Sequence, residues 1–238
     1  MSYLAHSATP ASSQICNSLI TRNMNFKLLY LLLAVCTAAP SAFAQAQDWS
    51  LKRDTDGMQV YLRDVPGSPI KQIKIEATLN ASLDAVVSVL KDIDAYQEWI
   101  YKCQSAKRLQ PSTQNSSHYY CRVDFPWPMS DRDFIAKSKL WQDENDRTVY
   151  IEVEGLPNDR EPVQDVVRIP ELKISYALKP LPNEQVQMTY ILHSDPAGDI
   201  PTWLVNMVVD NGPLNTVKGM REMLKKDAYR QASLSYLK

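Results

Sequence analysis

Beyond residue 44 the chain carries just two histidines, His118 and His193, and the second opens the triplet His193-Ser194-Asp195, which has the residue types of a hydrolytic triad. Successive side chains of an extended strand point to opposite faces, so these three cannot converge on one reacting atom. The triplet reads instead as a strand end running into the turn Asp195-Pro196-Ala197-Gly198. His118 borders a polar turn and reads as solvated. Glu152 and Glu154 share one strand face while Ile151 and Val153 share the other, the pattern of solvent-side charge. Metal chemistry has no better footing, since there is no Cys-x-x-Cys and no His-x-x-x-His. The six glycines form no phosphate-cradling loop. The residues point away from covalent catalysis, and neither a metal nor a cofactor is expected.

The most informative stretch is Pro126-Trp127-Pro128-Met129-Ser130-Asp131-Arg132-Asp133, set between two alternating strand patterns. Proline has no ladder donor, so Pro-x-Pro in a strand-rich region marks a break, an edge or a bulge. The charged residues lead straight into Phe134-Ile135-Ala136 and are expected to be partly buried and paired. Alternation sends Arg132 and Asp133 to opposite sides, so neither should be the other's closest partner. Arg132 then has two readings: a guanidinium that fixes the corner, which is favoured, or one that meets a carboxylate, phosphate or hydroxyl of a ligand head group. Arg168, between Val167 and Ile169, is the second candidate for a buried cation.

With Trp99 upstream and Val167-Arg168-Ile169 downstream, these eight residues resemble the signature of bacterial START-domain proteins, relatives of the steroidogenic acute regulatory lipid-transfer family in the SRPBCC superfamily. The similarity runs from about Trp49 to about Leu224. The resemblance implies an α+β helix-grip fold, a curved antiparallel β-sheet wrapped around a long C-terminal α-helix, with helix and a nearby loop closing over an internal cavity. The loop's counterpart is Gly155 to Pro162, an irregular polar stretch between two strands.

The N-terminus reads as an export signal. Met24-Asn25-Phe26-Lys27 supplies a basic start, Leu28 to Cys36 an apolar core, and Ala42-Phe43-Ala44 a small-x-small cleavage form. Residues 24–44 are thus the expected signal peptide, Met24 the expected start, residues 1–23 an upstream mis-called start or a disordered extension, and 45–238 a single START-like domain. The apolar run is too short to span a bilayer. Secretion, in a bacterium to the periplasm, is the expected destination. Cleavage leaves 194 of the 238 residues, enough for one sizeable core. With Arg22 and Lys27 in the leader, the remainder holds 24 basic and 27 acidic residues, a formal charge of −3 that gives no basic excess for nucleic acid. A monomer is expected. Of the four cysteines only Cys103 and Cys121 follow the leader. A bridge between them would close a 19-residue loop and contribute on the order of 3 kcal/mol. Simple hairpin register pairs His118 with Gln110 and sets Cys121 nearer Lys107, so a disulfide and two buried free thiols both stand.

From Trp49 to Asp195 the dominant period is two. Ile73, Ile75, Ala77 and Leu79 alternate with polar residues, as do Tyr119/Cys121/Val123/Phe125, Val149/Ile151/Val153, Ile174/Tyr176/Leu178 and Val186/Met188/Tyr190/Leu192. One dry and one wet face per strand, joined by brief turns, fits an antiparallel sheet. Helical spacing occurs twice: after the N-cap candidate Ser82, with a further turn near Tyr96 to Trp99, and from Pro201 toward Tyr229, where Pro213 should kink or divide the helix. Laying the terminal helix across the sheet's dry face is the economical cover.

A lipid carrier must enclose its ligand, because each methylene kept from water is worth roughly 0.8 kcal/mol. On the implied fold, the expected ligand-binding residues are Trp127, Met129, Arg132, Arg168, Met188, Tyr190, Trp203 and Met207. Trp203 and Met207 are expected to line the cavity's roof, with residues 195–201 as the hinge on which the helix tilts. The expected partner is a lipid or other hydrophobic molecule, with transient membrane contact. Two rivals remain: a cavity enzyme of cyclase or hydrolase type on the same fold, and an interaction module whose interior is filled by its own side chains.

Overall fold

The computed structural model describes residues 48–238; the expected signal peptide and the residues before it lie outside that range. The chain begins as a meander of β1 (Ser50–Thr55), β2 (Met58–Val65) and β3 (Ser68–Leu79). The β1–β2 turn places Asp56 and Gly57 at positive φ. The chain then crosses through α1 (Leu83–Lys91), a 3-10 turn at Ile93–Ala95 and α2 (Tyr96–Trp99). Ser82 caps α1 as its residue type predicts, its hydroxyl accepting from the Ala85 N–H at 3.2 Å.

That crossing delivers the chain to the far edge of the sheet. From there β4 (Cys103–Arg108), β5 (Ser116–Val123), β6 (Arg132–Gln142), β7 (Val149–Gly155), β9 (Glu171–Leu181) and β10 (Gln185–Asp195) return strand by strand. The order β1-β2-β3-β10-β9-β7-β6-β5-β4 places β10 beside β3, every neighbouring pair antiparallel. The exception to the antiparallel rule is the two-residue β8 (Val167–Arg168), which lies parallel to the start of β6. The alternating residues form the dry face: Ile73, Ile75, Leu79, Leu178 and Met188 are fully buried. Phe125 is not part of β5; the strand ends at Val123, and the Phe125 N–H donates to Asp131 Oδ1 instead.

The C-terminal region comprises α3 (Thr202–Val208), α4 (Asn211–Met223) and α5 (Asp227–Arg230). The division falls at Val209-Asp210, ahead of Pro213. Proline is tolerated in the first turn of a helix, where its missing N–H has no intrahelical partner to lose, and Pro213 occupies that turn of α4. Leu214, Val217, Met220 and Met223 turn inward. At Gly219 an added Cβ would stand 2.3 Å from the Trp99 carbonyl oxygen, so α4 lies with its backbone directly on α2. Asp210, fully buried before α4, binds Lys52 Nζ at 2.7 Å and Arg53 at 2.9 Å, which fastens β1 to the helix.

The two cysteines are free thiols, with sulfurs 3.6 Å apart and both side chains buried. Simple register fails here for two reasons. Cys121 pairs with Ala106, one residue from the expected position, and an irregularity between Cys103 and Ser105 carries Cys103 to pair with Val123.

Candidate functional site

The sheet and α4 enclose an apolar cavity of about 200 Å³. Phe134, Leu140, Ile151, Val153, Leu172, Ile174 and Leu192 supply its sheet wall, and Ile100, Pro213 and Thr216 its helical side. Five tyrosines line it, Tyr96, Tyr101, Tyr119, Tyr176 and Tyr190, and all but Tyr101 are buried. Tyr176 and Tyr190 face each other across β9 and β10 and stack at 4.7 Å, their planes 6° apart. Tyr96 meets both Trp99 and Tyr119 edge to face at 5.5 Å. Its hydroxyl donates to the Leu90 carbonyl at 2.7 Å.

Burial pushes the phenols of Tyr119 and Tyr176 well above their ordinary range and raises those of Tyr96 and Tyr190 as well. At neutral pH all four are uncharged. The Trp99 indole N–H is buried without an acceptor. Lys91 closes one end, donating to the Thr113 and Gln114 carbonyls, and desolvation lowers its pKa. None of the residues lining the cavity is an Asp, Glu, His or Cys.

Of the expected ligand contacts, Tyr190 lines this space. Met188 is fully buried but belongs to the packed core. The others stand elsewhere. Trp127 is 92% exposed and Met129 half-buried, and both sit on the loop between β5 and β6, outside the cavity lining. Trp203 (68% exposed) and Met207 (58% exposed) point outward from α3 rather than into a roof. No side chain of α3 is buried; polar bonds hold the helix, with Asn206 accepting from the Lys71 N–H at 2.9 Å and donating to the Pro69 carbonyl at 3.0 Å.

Both arginines act as fasteners. Arg132 is buried and spends its donors on backbone carbonyls: Nε to Pro196 at 3.0 Å, Nη2 to Ala197 at 3.1 Å, and Nη1 to Ser130. Phe125 covers its guanidinium at 4.4 Å. It thereby ties the β5–β6 loop to the segment leading into α3. Gly198, at positive φ, is required there, since a Cβ would come within 3.0 Å of Arg132 Nη2. Arg168 forms a two-pronged ion pair with Asp133, Nε–Oδ1 2.7 Å and Nη2–Oδ2 3.1 Å, and donates to the Pro157 and Arg160 carbonyls.

That pair corrects the place of the Gly155–Pro162 stretch. The even residues of β6, such as Phe134 and Ser138, face the cavity, so Asp133 and Ile135 face the other side. The loop packs over that outer face: Leu156 donates to the Ile135 carbonyl, and Asp159 approaches His118 Nε2 at 3.3 Å. It cannot close over the cavity, and His118 is half-buried beneath it rather than solvated. His193 is also buried, with Glu171 at 3.8 Å, and lies outside the cavity lining.

The residues missed in the sequence are Tyr96, Trp99, Tyr119, Phe134 and Tyr176. Tyr119 and Tyr176 carried a usable signal, since each falls on a strand's dry face where a hydroxyl needs a reason to be.

The START domain family model matches residues 34–230. An uncharacterised protein of Pseudomonas aeruginosa is 30% identical over 195 residues, 82% of this chain and 96% of that protein. Mouse phosphatidylcholine transfer protein is 26% identical over 179 residues, 73% of this chain and 82% of that protein. In three dimensions, a STAR-related lipid transfer protein fragment from Xanthomonas axonopodis aligns with a TM-score of 0.70 at 34% identity, over 75% of this chain and 99% of that one. Human STARD10 aligns with a TM-score of 0.67 at 19% identity, over 88% of this chain and 82% of that one, a likeness of fold alone. The match spans the whole sheet and the helices that grip it, and the chain belongs to the START domain family.

Proposed function

We propose that this protein is an exported, monomeric carrier that holds a lipid or comparable hydrophobic molecule in the cavity between sheet and α4, and hands it on without covalent chemistry. The observation that carries this reading is the lining: an apolar chamber whose titratable groups are neutral phenols and one lysine, with no carboxylate, imidazole or thiol to serve as base or nucleophile. The relatives described as lipid or phosphatidylcholine transfer proteins support it. The unpartnered Trp99 N–H offers a donor to a ligand oxygen within otherwise apolar walls.

At about 200 Å³ the cavity lies below the roughly 300–1,000 Å³ of pockets that enclose drug-sized molecules. Uptake of a lipid therefore requires the walls to part. The segment from residue 195 through α3 is the part that moves in this reading, because hydrogen bonds and no buried side chain of its own hold α3 in place. Export to the periplasm rests on the basic, apolar and Ala42-Phe43-Ala44 sequence pattern.

Native mass spectrometry of the purified protein, followed by solvent extraction, tests the carrier. A lipid released in one-to-one amount is expected. A protein that carries nothing after expression in lipid-rich cells and takes up no phosphatidylcholine from vesicles would overturn it.

A further inference from the structure

We propose that Cys103 and Cys121 are a site of reversible oxidation: a small-molecule disulfide converts the two thiols into a bridge, Cys103 reacting first and Cys121 completing it. The inference stands apart from the carrier reading and rests on how β4 is built. Ala106 pairs directly with Cys121, and in a regular strand the side chain three residues earlier would point to the other face. It does not, because β4 carries one extra residue. Cys103 pairs with Val123 and Ser105 with Arg122, the preceding residue of β5, which leaves Gln104 unpaired. A bulge of this kind re-aims a side chain, and here it turns Cys103 onto the face of Cys121, sulfur to sulfur at 3.6 Å. Gln97 of α2 holds the bulge by donating its side-chain amide to the Gln104 carbonyl. What separates the thiols from a bridge is thus a shift of side chains, not of strands.

The surroundings distinguish the two sulfurs. Cys121 is 0% exposed within β5, whereas Cys103 is 9% exposed at the start of β4. β4 is the last strand of the sheet, with β5 as its one neighbour there, and an edge strand opens locally at lower cost than the strands inside. An approaching disulfide therefore meets Cys103 first. The Cys121 thiol donates to the Cys103 sulfur and draws its pKa down, while the sharing of that proton, and burial, hold Cys121 up. The thiolate is the attacking species in exchange. Cys103 attacks one sulfur of the small-molecule disulfide, forming a mixed disulfide and expelling a thiolate. Cys121, giving up its proton, then attacks the Cys103 sulfur and expels the second thiolate. Two protein thiols are oxidised, one disulfide is reduced to two thiols, and the two protons end on those thiols. Export, as proposed above, puts the pair where disulfides form and persist. The bridge closes a 19-residue loop and ties to the sheet the segment carrying Ile100 and Tyr101, which line the cavity just before Cys103.

Incubating reduced wild-type protein with oxidised glutathione, then digesting it without reduction and mapping the peptides by mass spectrometry, tests the site. A linked pair of peptides carrying Cys103 and Cys121 is expected, lighter by two hydrogens than the two reduced peptides and separated again by dithiothreitol. The bridged protein should melt about 6–12 °C above the reduced form, the shift that closing a 19-residue loop gives a domain of this size. In Cys121→Ala the reaction should stop with glutathione held on Cys103. In Cys103→Ala the remaining Cys121 should react at least about tenfold more slowly, as a thiol of higher pKa and lower access. Both cysteines recovered as free thiols, a bridge between two chains, a melting temperature that does not rise, or a Cys121 that reacts as fast as Cys103 would each overturn the proposal. The first three of these are read on wild type, so they decide the matter even where a variant fails to fold.

Discussion

Asp133 is a fully buried carboxylate whose partner, Arg168, arrives from 35 residues further along the chain. Removing one member of such a pair leaves the other as an uncompensated buried charge, which typically costs about 3–5 kcal/mol, whereas the intact pair contributes far less. Arg168→Ala should therefore destabilise the protein by about that amount and also free the loop over residues 157–161 that the guanidinium pins through its carbonyls. Urea denaturation measures the first effect and limited proteolysis in that loop the second. A loss under about 1 kcal/mol would show that water or another cation reaches Asp133 once Arg168 is gone. Arg132 presents the contrasting case. With carbonyls rather than a carboxylate as its partners, it holds two loops at one end of the molecule, and burial lowers its pKa while Asp131 nearby opposes that shift. Neither arginine reaches the cavity, yet both decide what surrounds it.

Elements were legible in the sequence to the extent that their side chains report a local period. Alternation marked the dry faces of β3, β5, β7, β9 and β10, and Ser82 marked the start of α1, because strand pleat and helix cap are properties of a few consecutive residues. β8 left no such trace: two residues make no period, and its parallel register with β6 exists only once the intervening loop has folded over the sheet's outer face. Trp203 and Met207 failed differently. Spacing shows which residues share a helical face, but not what that face meets, and the apolar face of α3 meets solvent. What secures α3 instead is Asn206, a residue with no signature in the sequence, through two bonds to the β2–β3 hairpin. Each is worth about 0.5–1.5 kcal/mol net. Asn206→Ala should leave global stability within about 1–3 kcal/mol of wild type and speed transfer of a fluorescent phospholipid between vesicles several-fold. Unchanged transfer with a loosened α3, seen by faster amide exchange at residues 203–208, would remove this helix from the gating step.

At the scale of the whole molecule, the cavity's chemistry is written into its pH stability. Four phenols in its walls, those of Tyr96, Tyr119, Tyr176 and Tyr190, have pKa values raised by burial, while in the unfolded chain each returns to about 10. Above that pH the unfolded state sheds protons that the native state keeps, so the number bound is lower in the unfolded state and stability must fall as pH rises. It is fully present below pH about 10, and each group removes about 1.4 kcal/mol per pH unit above it, about 5 kcal/mol per unit for four. Against a typical domain stability of about 5–15 kcal/mol, the fold should collapse cooperatively within about one to three units above pH 10. Absorbance at the tyrosinate band, followed alongside far-ultraviolet circular dichroism, checks this: ten tyrosines follow residue 44, and the buried four should ionise only as the sheet signal is lost. Replacing Tyr176 and Tyr190 by phenylalanine should make the slope of stability against pH shallower by about 3 kcal/mol per unit, since two titrating phenols are then gone. A smooth ionisation of all ten tyrosines with the sheet intact would mean that solvent already reaches the chamber, and that sheet and α4 do not shield it from water.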